Sequence, residues 1–257
     1  MELESLSIVI PVYNEVRVIE RVLRDFHAKV ASRLPDVEFI VAEDGSRDGT
    51  GEVLARLAPE LQLRLISGQE RKGYTAAVKD ALRLPTKEWI LFSDSDGQQE
   101  PDDFFKLATI APRYDLIVGF KSPRRDPLLR LGLTRGFRAL NRVLLGARFR
   151  DVNCGFRLMR RALVEAVLPH CSLLPQFVNA ELALRATAMG FRVTEAPVRH
   201  YPREDGGSRG LPVRRLPAEV LGLLGGLWKL RRELGALDRL KEGAHREARP
   251  DPAPGDR

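Results

Sequence analysis

The 257-residue sequence has two cysteines, Cys154 and Cys171, and neither belongs to a C-x-x-C pair. A disulfide framework and a thiol redox motif are therefore excluded as organising features. It also lacks an apolar leader with a small-residue cleavage site, so a reducing cytoplasm is the expected compartment. Long hydrophobic runs are missing too. The longest uncharged stretch near the C-terminus, Val220 to Trp228, falls far short of the roughly 20 apolar residues a membrane-spanning helix needs. Histidine is scarce: His27, His170 and His245 have no partners at metal-ligand spacing, and His200 is placed only to touch a phosphate. Aromatics make up 7% of the chain. What is present is a soluble, globular mixture, 44% apolar and 30% charged, with a net charge of +7.

That charge is local. Residues 121–150 hold nine Lys or Arg (Lys121, Arg124, Arg125, Arg130, Arg135, Arg138, Arg142, Arg148 and Arg150) against Asp126 alone. Such a segment calls for a phosphate-bearing partner or an acidic membrane surface. Nucleic acid is not expected, because the basic segment is interleaved with leucine rather than with aromatics that stack on bases.

Short β-branched runs alternate with helical spacing through the first half. Leu6 to Val12, Val37 to Ala42, Leu61 to Ile66, Trp89 to Phe92 and Leu116 to Val118 read as strands. Between them Ile19, Val22, Leu23 and Phe26, then Val53, Leu54 and Leu57, then Ala77, Val78, Ala81 and Leu82 recur at helical spacing. This alternation predicts an α/β fold with a Rossmann-like, mainly parallel sheet flanked by helices. The rhythm then changes to a basic helical stretch over 128–146, an extended piece from Gly155 to Met159, a helix from Gln176 to Met189 and a strand from Arg192 to Val198. We expect one domain over 1–212, with a first half at 1–120 and a second half at 121–212 that completes the site the first begins. An amphipathic helix at 213–238 and a disordered, proline-rich tail at 239–257 follow.

Ligands of open parallel sheets bind beyond the carboxyl ends of the strands. Three strands end in polar residues there: "SIVIPVYNE" on Asn14 and Glu15, "FIVAEDGSRDGT" on Glu43 and Asp44, and "WILFSDSDGQQ" on Asp94 and Asp96. Asp94 and Asp96 alternate in extended chain and so point the same way. With Gln98 they offer hard oxygens to Mg2+ or Mn2+, a cation that keeps positions for water and a diphosphate. The glycines around Ser46 permit a tight turn, and Asp48 or Thr50 caps the following helix.

Assembled in order, "IPVYNE", "EDGSRDGT", "RKGYTAAVKDAL", "SDSDGQQEP", "DVNCGFRLMRR", "ELALRATAMGF" and "APVRHYPREDGGSRG" resemble family 2 inverting glycosyltransferases. The resemblance spans roughly 5–210 and is strongest to the dolichol-phosphate mannosyltransferase-like branch. It implies a GT-A type fold and a nucleotide-sugar donor of the GDP-mannose or UDP-glucose kind. Pro11, Tyr13, Glu15, Glu43, Asp44, Arg71, Lys72, Gly73 and Ser95 would then border the donor. Asp94 would hold the ribose-diphosphate-metal assembly, with Asp96 and Gln98 as further metal ligands, and Asp151 would sit near the acceptor. Glu43-Asp44 stands where the family usually has Asp-Asp.

Lys121, Arg124, Arg135, Glu181, Arg203, Ser208 and Arg209 are the expected acceptor and phosphate contacts. Arg203 and Arg209 would also steady the departing diphosphate, since guanidinium groups bind oxyanions bidentately. Relatives that glycosylate a hydroxyl place a Glu-Asp pair where this chain reads Gln176-Phe177-Val178-Asn179-Ala180-Glu181. A polyprenyl phosphate acceptor needs no such base, because its second pKa lies near 6. The alternative is a soluble glycan, small-molecule or protein hydroxyl, with Asp151 or Glu181 as base. Sugar-phosphate nucleotidyltransferases are set aside because "PVYNEV" has no phosphate-loop glycine. Arg135, Arg138 and Arg142 share one face of the basic helix. Val220, Leu223, Leu224, Leu227, Leu230 and Leu234 make an apolar stripe ending near Trp228, Lys229, Arg231 and Arg232. That stripe fits an interfacial helix peripheral to an anionic bilayer, or one packed on its own domain or on a second copy in a homo-oligomer.

Overall fold

Strand β1 (Ser5–Val12) is buried at every residue but its first, the mark of a central strand covered on both faces. It pairs in parallel with β2 (Asp36–Glu43) on one side and β4 (Trp89–Phe92) on the other, and β2 pairs in parallel with β3 (Leu63–Ser67). These come from a computed structural model that describes residues 3, 5–122, 136, 142, 149–174, 176–203 and 222–235. The helices of this half bury the faces their spacing predicts. In α1 (Ile19–Lys29) they are Ile19, Val22, Leu23 and Phe26; in α2 (Thr50–Glu60), Leu54 and Leu57; in α3 (Tyr74–Ala81), Val78 and Ala81. Strand β3 starts two residues later than its apolar run suggests. The Leu61 N–H still closes the end of α2 on the Leu57 carbonyl, and Gln62 turns the chain at φ 53°.

Beyond α4 (Asp103–Ile110) and β5 (Leu116–Lys121) the topology departs from simple alternation. The extended piece expected around Gly155 to Met159 is β6 (Arg157–Arg160), which runs antiparallel between β4 and β5. The sheet order is β3-β2-β1-β4-β6-β5-β7, with β7 (Val193–Val198) parallel to β5. Because β6 runs backwards, Arg157 lies opposite Phe92. The turn before β6 is thereby delivered to the carboxyl end of β4, where ligands of this kind of sheet bind.

Helix α5 (Arg161–Val167) follows β6, and α6 (Val178–Ala188) is buried along Val178 to Ala186. Residues 222–235 are helical, with Leu227, Leu230 and Leu234 buried. A Cβ on Gly226 would meet the Leu173 carbonyl oxygen at 2.5 Å, so this helix sits tightly on the segment before α6. An ion pair from Arg185 to Glu233, 2.8 Å, fixes it further. Within 222–235 the expected stripe thus covers its own domain, while Leu224 and Trp228 stay exposed at 39% and 54%. Most of the basic stretch at 128–146, including Arg124 just before it and Arg135 within it, lies outside the described residues. So do Ser208, Arg209 and the tail at 239–257.

Candidate active site

One wall of the site is built where β1, β2 and the segment after β3 meet. Asn14, at φ 52°, receives a hydrogen bond from the Arg47 N–H (2.9 Å) on its side-chain oxygen, while its own N–H donates to Ser46 Oγ (2.9 Å). The Glu15 N–H donates to Thr50 Oγ1 (2.9 Å). These bonds lock "YNE" to "DGSRDGT". Pro11 is buried in β1, and the Arg71 guanidinium lies 4.3 Å from the centre of the Tyr13 ring, a flat cationic and aromatic edge suited to a nucleobase. Asp44 accepts from the Lys72 N–H (2.8 Å) and the Gly73 N–H (3.0 Å), and Glu43 accepts from the Ser46 N–H. The acid pair ending β2 therefore shapes the loop that carries Arg71, Lys72 and Gly73. Gly73 sits at φ 90°, a backbone that glycine adopts without strain at the start of α3.

The acid centre stands at the end of β4. Asp94 lies against Gly155, and its N–H donates to the Gly155 carbonyl (3.2 Å). Burial, then the charge of Asp96, pushes the Asp94 carboxyl up to about 6; Lys121, the last residue of β5, and Arg157 oppose the rise. Ser95 is buried between the two acids. Asp96 Oδ1 accepts from the Gln98 N–H (3.1 Å), and the Gln98 amide donates to the Tyr201 carbonyl (2.9 Å). Gln98 thus ties Asp96 to the segment leaving β7.

Arg157, Tyr74, Asn179 and Gly155 belong to this centre and were not singled out from the sequence. Arg157 is wholly buried. It donates to the carbonyls of Cys154 (3.1 Å from Nε), Val152 (3.2 Å) and Asn179 (2.7 Å). Desolvation pulls its pKa down. The signal was an arginine inside an otherwise apolar strand, "FRLM", a place where a charge persists only when something nearby requires it. Cys154 and Cys171 are buried thiols pushed up to about 12 by desolvation, which removes both as nucleophiles.

Asp151 opens the turn before β6. Its N–H donates to Glu195 Oε1 (2.8 Å), the Arg150 N–H donates to Oε2 (2.7 Å), and burial raises the Glu195 pKa. Arg203 forms a largely buried ion pair with Glu15, joining the segment after β7 to the end of β1. His200 meets Gln99 in an isolated backbone bridge. A cleft of about 480 Å3 opens between α3 and the start of α6, and Lys72, Tyr74, Lys79, Ser172, Gln176 and Val178 are among its walls. Glu181 borders it, but its carboxylate is taken up elsewhere. It accepts from the N–H groups of Ser172 (3.0 Å), Leu173 (2.9 Å) and Leu174 (2.8 Å) and from Arg185 (2.8 Å). The oxygens of Glu181 face the backbone that they cap, which favours a helix-orienting role over the expected acceptor contact or base.

Among the described residues no cluster of three or more His, Cys, Asp or Glu side chains could hold a metal alone. The donor set nevertheless fits Mg2+ or Mn2+. Two hard carboxylates meet, one of them destabilised as an anion until positive charge arrives, and a diphosphate would complete the coordination.

A glucosyl-3-phosphoglycerate synthase from Mycobacterium tuberculosis, solved with Mn2+, UDP-glucose and phosphoglyceric acid, superposes with a TM-score of 0.62 at 19% identity. It covers 89% of this chain and 80% of that one, and the likeness establishes the fold. An undecaprenyl-phosphate 4-deoxy-4-formamido-L-arabinose transferase from Yersinia enterocolitica is 28% identical over 211 residues, 81% of this chain and 63% of the relative. Glycosyltransferase AglD from Haloferax volcanii is 32% identical over 210 residues, 78% of this chain and 34% of the relative. The chain thus spans less than two thirds of the first of these relatives and about a third of the second. Residues 7–168 match the family described as Glycosyl transferase family 2.

Proposed function

The chain belongs to glycosyl transferase family 2, and from that membership we propose that it moves a hexosyl group from a GDP-mannose- or UDP-glucose-type donor to a polyprenyl phosphate, with inversion. The observation that carries the acceptor class is the saturation of Glu181 by three backbone N–H groups and Arg185. A hydroxyl acceptor needs a base, and the one α6 offers is occupied. A phosphate monoester needs none, since it is largely ionised at neutral pH. The acceptor named for the Yersinia relative is undecaprenyl phosphate, which supports the same class.

In this reading the Tyr13–Arg71 edge and the loop held by Asp44 receive the nucleoside, and Asp94 and Asp96 face the diphosphate. A divalent ion there supplies charge neutralisation for the leaving group. An acceptor phosphate oxygen attacks the anomeric carbon from the face opposite the departing diphosphate. The bond from that carbon to the diphosphate oxygen breaks, and its electron pair leaves with the nucleoside diphosphate. Lys121 and Arg203 offer positive charge beside the developing anion.

A lipid acceptor places the reaction at a bilayer. Among the described residues no helix is long and apolar enough to cross a membrane. The outward face of 222–235, with exposed Leu224 and Trp228 beside Lys229, Arg231 and Arg232, is the surface we assign to an anionic membrane, contacted peripherally from the cytoplasmic side. The deciding experiment offers UDP- and GDP-sugars with Mg2+ or Mn2+, with and without polyprenyl phosphate, and reads nucleoside diphosphate release. Release that requires the lipid phosphate, stops with chelator and is abolished in a folded Asp96→Ala variant is the expected result. Turnover on a soluble hydroxyl acceptor alone would transfer the chemistry to Asp151 as base, and release untouched by chelator would remove the metal.

A further inference from the structure

Tyr74 joins the acid centre to the cleft beside it. Its hydroxyl donates to Asp94 Oδ1 (3.3 Å) and accepts from Asn179 Nδ2 (2.9 Å). Asn179 is 2% exposed, and its carbonyl is held by Arg157 (2.7 Å). An amide nitrogen can only donate and a carboxylate can only accept, so the single phenolic proton has one direction available. Tyr74 is 43% exposed and forms part of the cleft wall. One side chain therefore touches Asp94 at its inner end and whatever fills the cleft along its ring.

We propose that Tyr74 is a positioning residue for Asp94: oriented by Asn179, it fixes the carboxylate in the rotamer that would receive a metal-bound diphosphate. Among the described residues the Tyr74 hydroxyl is the side-chain donor to Oδ1, and both carboxylate oxygens lie close to Gly155. The hydroxyl thus sets the rotation of the carboxyl about its last bond, which burial alone leaves undetermined.

The inference rests on the reading that Asp94 faces a metal-bound nucleoside diphosphate, and the experiment separates the two. Mn2+ binding to the full chain is titrated by electron paramagnetic resonance with UDP or GDP present, alongside steady-state nucleoside diphosphate release. The variants are Tyr74→Phe, which keeps the ring, and Asn179→Leu, which keeps the carbonyl that Arg157 uses. Mn2+ affinity is expected to fall about tenfold in Tyr74→Phe, with kcat reduced at least as much and melting nearly unchanged. Asn179→Leu is expected to fall in the same direction, and the double variant to lose little more than Tyr74→Phe, since the two side chains act on one acid. Unchanged Mn2+ affinity and kcat in Tyr74→Phe would overturn the inference, as would additive losses in the double variant. A native chain that binds no Mn2+ with either nucleotide would instead overturn the reading beneath it.

Discussion

A Cβ on Gly155 would lie 1.8 Å from Asp94 Oδ2, so the turn before β6 and the acid at the end of β4 fit together only while residue 155 has no side chain. Alanine there must push the carboxylate aside. Overpacking of this kind costs roughly 1–3 kcal/mol, and an angstrom of misplacement at a reacting centre costs on the order of 10²-fold in rate. Gly155→Ala is expected to melt a few degrees lower and to lose about 10²-fold in kcat. An alanine variant with normal turnover would show that Asp94 is not held where the reaction needs it.

The raised Asp94 pKa makes the metal-free protein less stable than it could be. The carboxyl binds its proton near pH 3.8 when unfolded and near 6 when folded. Between those values the folded state carries more protons, so stability falls as pH rises through the window, and above it the whole penalty of about 3 kcal/mol remains. Asp94→Asn, melted without metal or nucleotide at neutral pH, is expected to gain several degrees. The gain should vanish near pH 4, where the native carboxyl is already neutral. A gain that persists in acid would assign it to packing rather than charge.

Much of this organisation is legible in the chain because it is periodic. The buried run of β1, the i, i+3, i+4, i+7 spacing of Ile19, Val22, Leu23 and Phe26, and the acids closing β4 each follow from local pattern. The antiparallel placement of β6 does not, since four extended residues carry no mark of their partner or direction. The contact that depends on it, Gly155 making room for Asp94, was therefore hidden. Glu181 misleads for the same reason. A glutamate near a helix start reads equally as base or cap, and only the positions of the 172–174 amides decide.

If Glu181 caps that turn, its loss is a matter of stability. Removing one partner from a buried charged network costs roughly 3–5 kcal/mol, and three backbone donors would lose their acceptor as well. Glu181→Ala is expected to melt markedly lower while the folded fraction, assayed well below its transition, turns over within about threefold of native. Loss of a general base would instead cost about 10²–10⁴-fold in rate. A stable Glu181→Ala variant with that deficit would restore Glu181 as the base.

Arg203 and Glu15 meet across the site mouth, with side-chain exposures of 17% and 7%. A diphosphate arriving nearby competes with Glu15 for the same guanidinium, and a planar fork can exchange a carboxylate for a phosphate without losing its hydrogen-bond geometry. Two consequences separate this role from a purely structural one. Without donor, Arg203→Ala should lower the melting temperature, because it takes a cation away from a largely buried carboxylate, and adding Glu15→Gln should recover part of that loss. With donor, Arg203→Lys should keep most of the charge but lose the fork, so kcat/KM is expected to drop roughly tenfold or more. Calorimetric binding of UDP or GDP with Mn2+ checks the second consequence directly. Should Arg203→Lys bind and turn over like the native chain, the pair is a structural clasp and the leaving group draws its charge from elsewhere.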